Sequence, residues 1–160
     1  MNTDLSVAPE LAQLADPFVP AQHVTAAPRT DGRTAAALTE LAATPQRWWD
    51  LVRFDPDSPV RIPVPAEPGA VPGGLWLLVL PPGTAVDCDC RQATALAGEA
   101  TEAPVDRANG GPGQARGGQA SPLRPGRVRV HGAAAPHRLQ AAGPGYSVTL
   151  HAGDTSSRSA

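Results

Sequence analysis

The sequence predicts an all-β core, a small barrel or sandwich of short strands preceded by short N-terminal helices. Two observations carry this. After Phe54 the spacing of apolar residues changes from about 3.6 to about 2, the mark of strands, and turn signals separate the apolar runs that follow. The second is composition. Of 160 residues 41% count as hydrophobic, but 29 are Ala, while Leu, Val, Ile and Phe together number only 30. Gly and Pro contribute 16 and 19. Such a chain builds an economical core framed by long loops, and the same figures exclude a coiled coil, a helical bundle and a repeat array.

The elements follow in order. Residues Asp4 to Asp16 carry a short helical pattern, with Pro9 placed as a first helical residue, and Phe18 to Gly32 reads as loop. Thr34 to Ala43 is a helix: Thr34 caps it, Leu38 and Leu41 share a face three residues apart, and Thr44-Pro45 ends it and starts the next. That second helix, Pro45 to Val52, brings Trp48, Trp49, Leu51 and Val52 together with Phe54 to cover a core. Strands are expected at Val60 to Val64, Leu75 to Leu80, Thr84 to Cys90, Ala93 to Thr101, Arg127 to His131 and Gly145 to His151. The run Leu75 to Leu80 is continuously apolar rather than alternating, so it reads as a central strand covered on both faces, stopped by Pro81-Pro82-Gly83. Residues Ala103 to Gly126 read as a flexible Gly/Pro-rich insertion, and Asp154 to Ala160 as a frayed tail. The organisation expected is a helical segment over 1–55 packed on a barrel over 56–153, with the insertion at 103–126 and a disordered tail at 154–160.

The net charge is −2, the 13 basic residues are all Arg, and they are scattered among 15 acids. A clustered basic face of the kind nucleic acid requires is not expected. No run of 18 apolar residues and no leader pattern occurs, so no membrane partner is expected and the cytosol is the expected compartment. Cys88 and Cys90 stand too close in sequence for a good mutual disulfide, and free thiols fit a reducing compartment. No Gly-x-Ser-x-Gly and no phosphate-binding Gly loop with Lys is present.

Four fragments stand in a telling order: WWDLVRF at 48–54, LWLLVLPPGTAVDCDC at 75–90, GEATE at 98–102 and GAAAPHRLQAAGPGYSVTLHA from Gly132. Together, over about half the chain, they resemble the cysteine dioxygenase type I family of the cupin superfamily. The resemblance implies a jelly-roll barrel that oxidises the thiol of cysteine, or a similar small thiol, to a sulfinic acid with O2 at a mononuclear ferrous ion held by three His. Carried over by position, Cys88 and Cys90 stand where the first two metal-binding His would be and His137 where the third would be. Arg61 stands at the substrate carboxylate, and Thr149 and His151 stand at a supporting Ser and His. The chain departs from the pattern where two imidazoles have become thiols, where Arg91 follows the metal motif in place of Gly, and where Gly153 stands for a Tyr.

Apart from any family, Cys88 and Cys90 are two apart in an expected strand, as are Thr149 and His151, so each pair leaves one face. A barrel can bring these faces together with His137. Two sulfurs and an imidazole form a softer set than three imidazoles and favour Zn2+, Cu+ or a more oxidised iron over labile Fe2+. Thiolates there would repel an incoming substrate thiolate and are themselves oxidisable. The alternative is therefore a non-catalytic cupin that binds a metal or small ligand, or senses redox state, through Cys88 and Cys90. The partners expected are a small thiol and O2, acting on a monomer. Asp87 and Asp89 are expected to point outward, Arg61 reads equally as a solvated surface residue, His151 equally as a satisfied core histidine, and His23 and His131 read as surface residues.

Overall fold

A short helix opens the described part of the chain. In this computed structural model residues 30–66, 70–106, 114–115, 119–131 and 135–153 are described. The expected helix at Asp4 to Asp16, the loop before Gly32 up to residue 29, and the tail at 154–160 lie outside them. Helix α1 runs Thr30–Ala42, four residues earlier than Thr34, because Asp31 in its first turn suits the positive end of the helix dipole. Leu38 and Leu41 are buried as one stripe. At the C-terminal end the Trp48 indole Nε1 donates to the Leu41 carbonyl at 3.0 Å, which also accepts the Thr44 N–H at 3.1 Å, so the indole is pinned to the end of the helix.

The second helix expected at Pro45 to Val52 is instead two single 3-10 turns, Pro45–Arg47 and Trp49–Leu51. Trp48 between them leaves helical geometry, with φ −133°, because its ring turns inward to anchor under α1. Trp48 is buried whereas Trp49 and Phe54 stay half exposed, so one Trp rather than the whole aromatic group covers the core.

Ten strands follow: β1 Val60–Val64, β2 Leu75–Leu80, β3 Ala85–Cys88, β4 Gln92–Ala97, β5 Ala100–Asp106, β6 Gln114–Ala115, β7 Ser121–Leu123, β8 Arg129–Val130, β9 His137–Ala141 and β10 Ser147–Ala152. One sheet has the order β1-β2-β10-β4-β8; the other has β3-β9-β5-β6, with β7 also paired to β5. Every pairing between these strands is antiparallel. With β1 and β6 set aside, the remaining eight strands form two sheets in the orders first-eighth-third-sixth and second-seventh-fourth-fifth. That connectivity is a jelly roll of the cupin type. The all-β core expected from the sequence is thus present.

Strand β2 shows why its sequence is apolar throughout. Leu75, Leu77 and Val79 face outward into a cluster with Leu38, Leu41, Trp48, Val148 and Leu150, under α1. Trp76, Leu78 and Leu80 face into the barrel with Cys88, Cys90, Ala93, Leu139 and Ala141. Strand β10 alternates: its apolar residues join the outer cluster, while Ser147, Thr149 and His151 are buried polar residues of the other face.

Other boundaries move. The weak strand expected over Ala93 to Thr101 is two strands separated at Gly98, whose φ is +71° and whose α-hydrogen faces the Tyr146 carbonyl at a distance no β-carbon could share. The stretch 103–126 supplies the end of β5 as well as β6 and β7, with 107–113 and 116–118 outside the described residues. Strand β9, which periodicity alone did not mark, pairs with both β3 and β5. Among the described residues no helix is long and apolar enough to cross a membrane.

Candidate metal centre

Strand pairing assembles the site before any side chain is considered. Strand β3 ends at Cys88 rather than Cys90, and Cys88 lies directly opposite His137, the first residue of β9. The chain then passes through Cys90 to Arg91, whose N–H donates to the Ala152 carbonyl at 3.0 Å and whose carbonyl accepts the His131 N–H at 2.8 Å. Cys90 is therefore fixed between the end of β10 and the end of β8. The C-terminal part of the chain, 41 to 61 residues further on, delivers His131, His137 and His151 to it.

The Cys90 Sγ lies 3.4 Å from His137 Nε2 and 3.2 Å from His151 Nδ1. The rings of His131 and His137 stack with centroids 4.0 Å apart. Cys90, His131 and His137 each offer one ligand atom within 4.8 Å of the other two. Around them, Trp76, directly across the ladder from His151, stacks on its ring at 4.1 Å.

Each ring nitrogen has a role set by its neighbour. His137 Nδ1 is 3.0 Å from the Ala135 carbonyl, which can only accept, so Nδ1 carries the proton and Nε2 a lone pair. His131 Nδ1 is 3.3 Å from Glu102 Oε1; donation to the carboxylate leaves its lone pair on Nε2, a buried atom with no partner. Thr149 donates its hydroxyl to the Leu78 carbonyl at 3.4 Å and accepts from His151 Nε2 at 2.7 Å. The lone pair of His151 then sits on Nδ1, beside Cys90. Three imidazole lone pairs and a sulfur share one interior region with a single thiol proton at Cys90.

Burial keeps these imidazoles neutral. It pushes His131 down to about 4, with the His137 and Arg129 charges adding to the shift. It also lowers His137, against the opposing bond to Ala135, and holds His151 well below the ordinary range. Burial pushes the Cys88 thiol up to about 12 and raises that of Cys90 as well, with Cys88 contributing second. A cation reverses this for a ligating sulfur, since thiolate is the metal-binding form. One sulfur and two imidazoles, one of them backed by a buried carboxylate, form a donor set that suits Zn2+.

The residues singled out from the sequence are placed as follows. Cys90 and His137 are brought together, with His151 hydrogen-bonded to Cys90 and Thr149 to His151. Cys88 is buried in the same interior but stands outside the three-residue group found among the described residues. Arg61, on edge strand β1, lays its guanidinium over the Trp76 ring at 4.2 Å. Asp87 forms an ion pair with Arg138, Nε to Oδ1 2.7 Å. His131, read as a surface residue, has a side chain only 6% exposed and belongs to the cluster. Glu102 is the last residue of the GEATE fragment but was given no role from the sequence. The available signal was the alternation RVRVH at 127–131: Arg127, Arg129 and His131 share one face, and Val130 on the other is exposed.

No family model and no curated protein matches the chain. Similar crystal structures include a protein from Thermus thermophilus, 20% identical over 66% of this chain and 93% of its own, with TM-score 0.47. Another is a conserved protein with a double-stranded β-helix domain from Klebsiella pneumoniae, 15% identical over 68% and 88%, with TM-score 0.48. A third is a cupin superfamily protein from Desulfitobacterium hafniense, 16% identical over 68% and 89%, with TM-score 0.45. The strand order, rather than these overlaps, defines the fold as cupin-type.

Proposed function

We propose that this chain is a metal-binding protein of cupin-type fold that holds a soft divalent ion, Zn2+ first, through Cys90, His131 and His137. The observation that carries this reading is the surplus of buried lone pairs, above all His131 Nε2, which has no partner. An unpaired buried acceptor costs about 1–3 kcal/mol, and a cation shared by three such donors removes that cost. The protein's own groups prepare each donor. Glu102 and the Ala135 carbonyl hold the Nδ1 protons of His131 and His137, and His151 Nδ1 is positioned to take the Cys90 proton as the thiol ionises. Three protein ligands leave a fourth position, at which zinc supplies Lewis-acid polarisation of a bound water or small molecule. The test is elemental analysis of purified protein with zinc titration of the metal-stripped form. One equivalent is expected for wild type, with at least a tenfold weaker site in Cys90→Ser and His131→Ala; equal affinity in all three would sink the assignment.

A second reading is thiol oxidation, RSH and O2 giving RSO2H at an iron held by the same residues. Arg61 favours it: its guanidinium lies on the Trp76 face and its charge reaches Cys88, which supports a role in pairing with a substrate carboxylate. Against it stands the Cys90 sulfur, whose thiolate would repel a substrate thiolate. O2 consumption by the iron-loaded protein with cysteine, lost in Arg61→Ala, would support this reading; no thiol-dependent uptake would end it. In either case we take the working form to be a cytosolic monomer that uses a small molecule, with no nucleic-acid or membrane partner, which sizing chromatography and cell fractionation can check.

A further inference from the structure

A second feature lies apart from the metal-binding cluster, in the segment Arg124-Pro125-Gly126-Arg127-Val128-Arg129. The Arg127 N–H donates to the Arg124 carbonyl at 3.2 Å, and Gly126 has φ +73°. Pro at the second position and a left-handed Gly at the third are the pattern of a type II turn, which sets its first and fourth residues side by side. Those residues are both arginine and both exposed. Two residues on, Arg129 enters β8. An open cavity of about 490 Å³ is lined by all three arginines, with Leu123 and Val128 among its walls and no acidic residue among the described residues that line it.

Two of these three charges are uncompensated: among the described residues Arg124 and Arg127 make no ion pair, whereas Arg129 pairs with Glu102, Nε to Oε2 3.9 Å, and donates from Nη2 to the Pro122 carbonyl at 3.4 Å. Two arginines at the first and fourth positions of one turn repel each other, and an anion between them relieves that repulsion. The planar forks of Arg match phosphate oxygens two at a time, and the volume suits a small ligand rather than a polymer.

We propose that this arginine-lined cavity is a binding site for a small phosphorylated molecule. The inference is independent of the metal reading, although Arg129 links the two places through Glu102 to His131.

The experiment is calorimetric titration of the full chain with inorganic phosphate at low ionic strength. Saturable binding of one phosphate per chain is expected, weakened about tenfold or more in the double variant Arg124→Ser/Arg127→Ser. Both residues are exposed, so that variant is expected to keep the wild-type melting temperature. Raising salt to about 0.15 M should weaken binding, as screening of exposed charges requires. No saturable binding, or equal binding by the double variant, overturns the proposal, and a preference for citrate over phosphate overturns the ligand class. Phosphate resting on a bound metal is separated by repeating the titration on EDTA-treated wild type. Retention there supports the arginine site, and loss overturns it, whatever becomes of the metal assignment.

Discussion

His131 and Glu102 meet inside the barrel, ring Nδ1 to carboxylate Oε1 at 3.3 Å, with only 6% and 9% of their side chains exposed. Neither residue is paired with the other by sequence proximity; β8 and β5 carry them there. The carboxylate is held above its usual range by burial, with Arg129 opposing.

This pair makes Glu102 a positioning residue for His131. Replacing it with Leu removes the acceptor that keeps the proton on Nδ1, and loss of such a partner typically weakens metal binding 10- to 100-fold. Glu102→Gln keeps an acceptor oxygen and is expected to recover most of the affinity. Competition titration against a chromophoric chelator reads both, and equal weakening by Leu and Gln would show that the acceptor is irrelevant.

Metal loading should raise the melting temperature. A ligand at about 100 times its dissociation constant stabilises the folded state by about 2.7 kcal/mol, and EDTA should reverse the gain. In Cys90→Ser the increment should disappear while the metal-stripped melting temperature changes less. A wild type whose melting temperature ignores both zinc and EDTA would contradict this.

The pH profile follows from burial. The unfolded chain takes protons on its histidines below about 6.5, whereas folded His131 does not until about 4, with His137 and His151 shifted in the same direction. The unfolded state therefore binds more protons over that window, and stability falls as pH drops through it, by at most about 1.4 kcal/mol per pH unit for each group. At the other end, Cys88 keeps its proton up to about 12 against an ordinary value of 9.0. The unfolded thiol ionises first, so stability also falls as pH rises above that ordinary value. Urea midpoints of EDTA-treated protein should peak near neutrality; a flat acid limb would refute the burial of neutral histidines.

Gly98→Ala tests the β4–β5 corner. The new β-carbon would overlap the Tyr146 carbonyl oxygen, at a φ that side chains rarely adopt. The atom it meets is backbone and cannot swing aside, so the cost should exceed about 1 kcal/mol, whereas Gly83→Ala, with open space around it, should cost less. Denaturant melts compare the two directly, and equal costs would place the strain elsewhere.

What could be read from the residues and what could not divides along physical lines. Leu75 to Leu80 was legible because burial on two faces leaves a continuous apolar run, and Val60–Val64 because turn residues flank it. The split of Ala93 to Thr101 at Gly98 was hidden, since one glycine in an alanine-rich stretch resembles a weak strand. At the site, Cys90 and His151 stood at strand spacing from Cys88 and Thr149, and His137 was marked by the family resemblance alone. His131 was marked by neither, because its burial comes from a two-residue strand at the end of its sheet and from Glu102, a partner 29 positions away. Cys88 and Cys90 looked equivalent as an i, i+2 pair, but β3 stops at Cys88, so the two sulfurs no longer share a strand.

Because Arg91 is bonded both to Ala152 and to His131, the site closes only when β10 has been laid against β4. Cys90 is separated from His137 by 47 residues and from His151 by 61. A chain emerging from the ribosome thus cannot assemble the full pocket until its final strand is free to pair. Such distant closures are slow relative to local turns, so metal capture would coincide with completion of the barrel and would select finished molecules over partly folded ones.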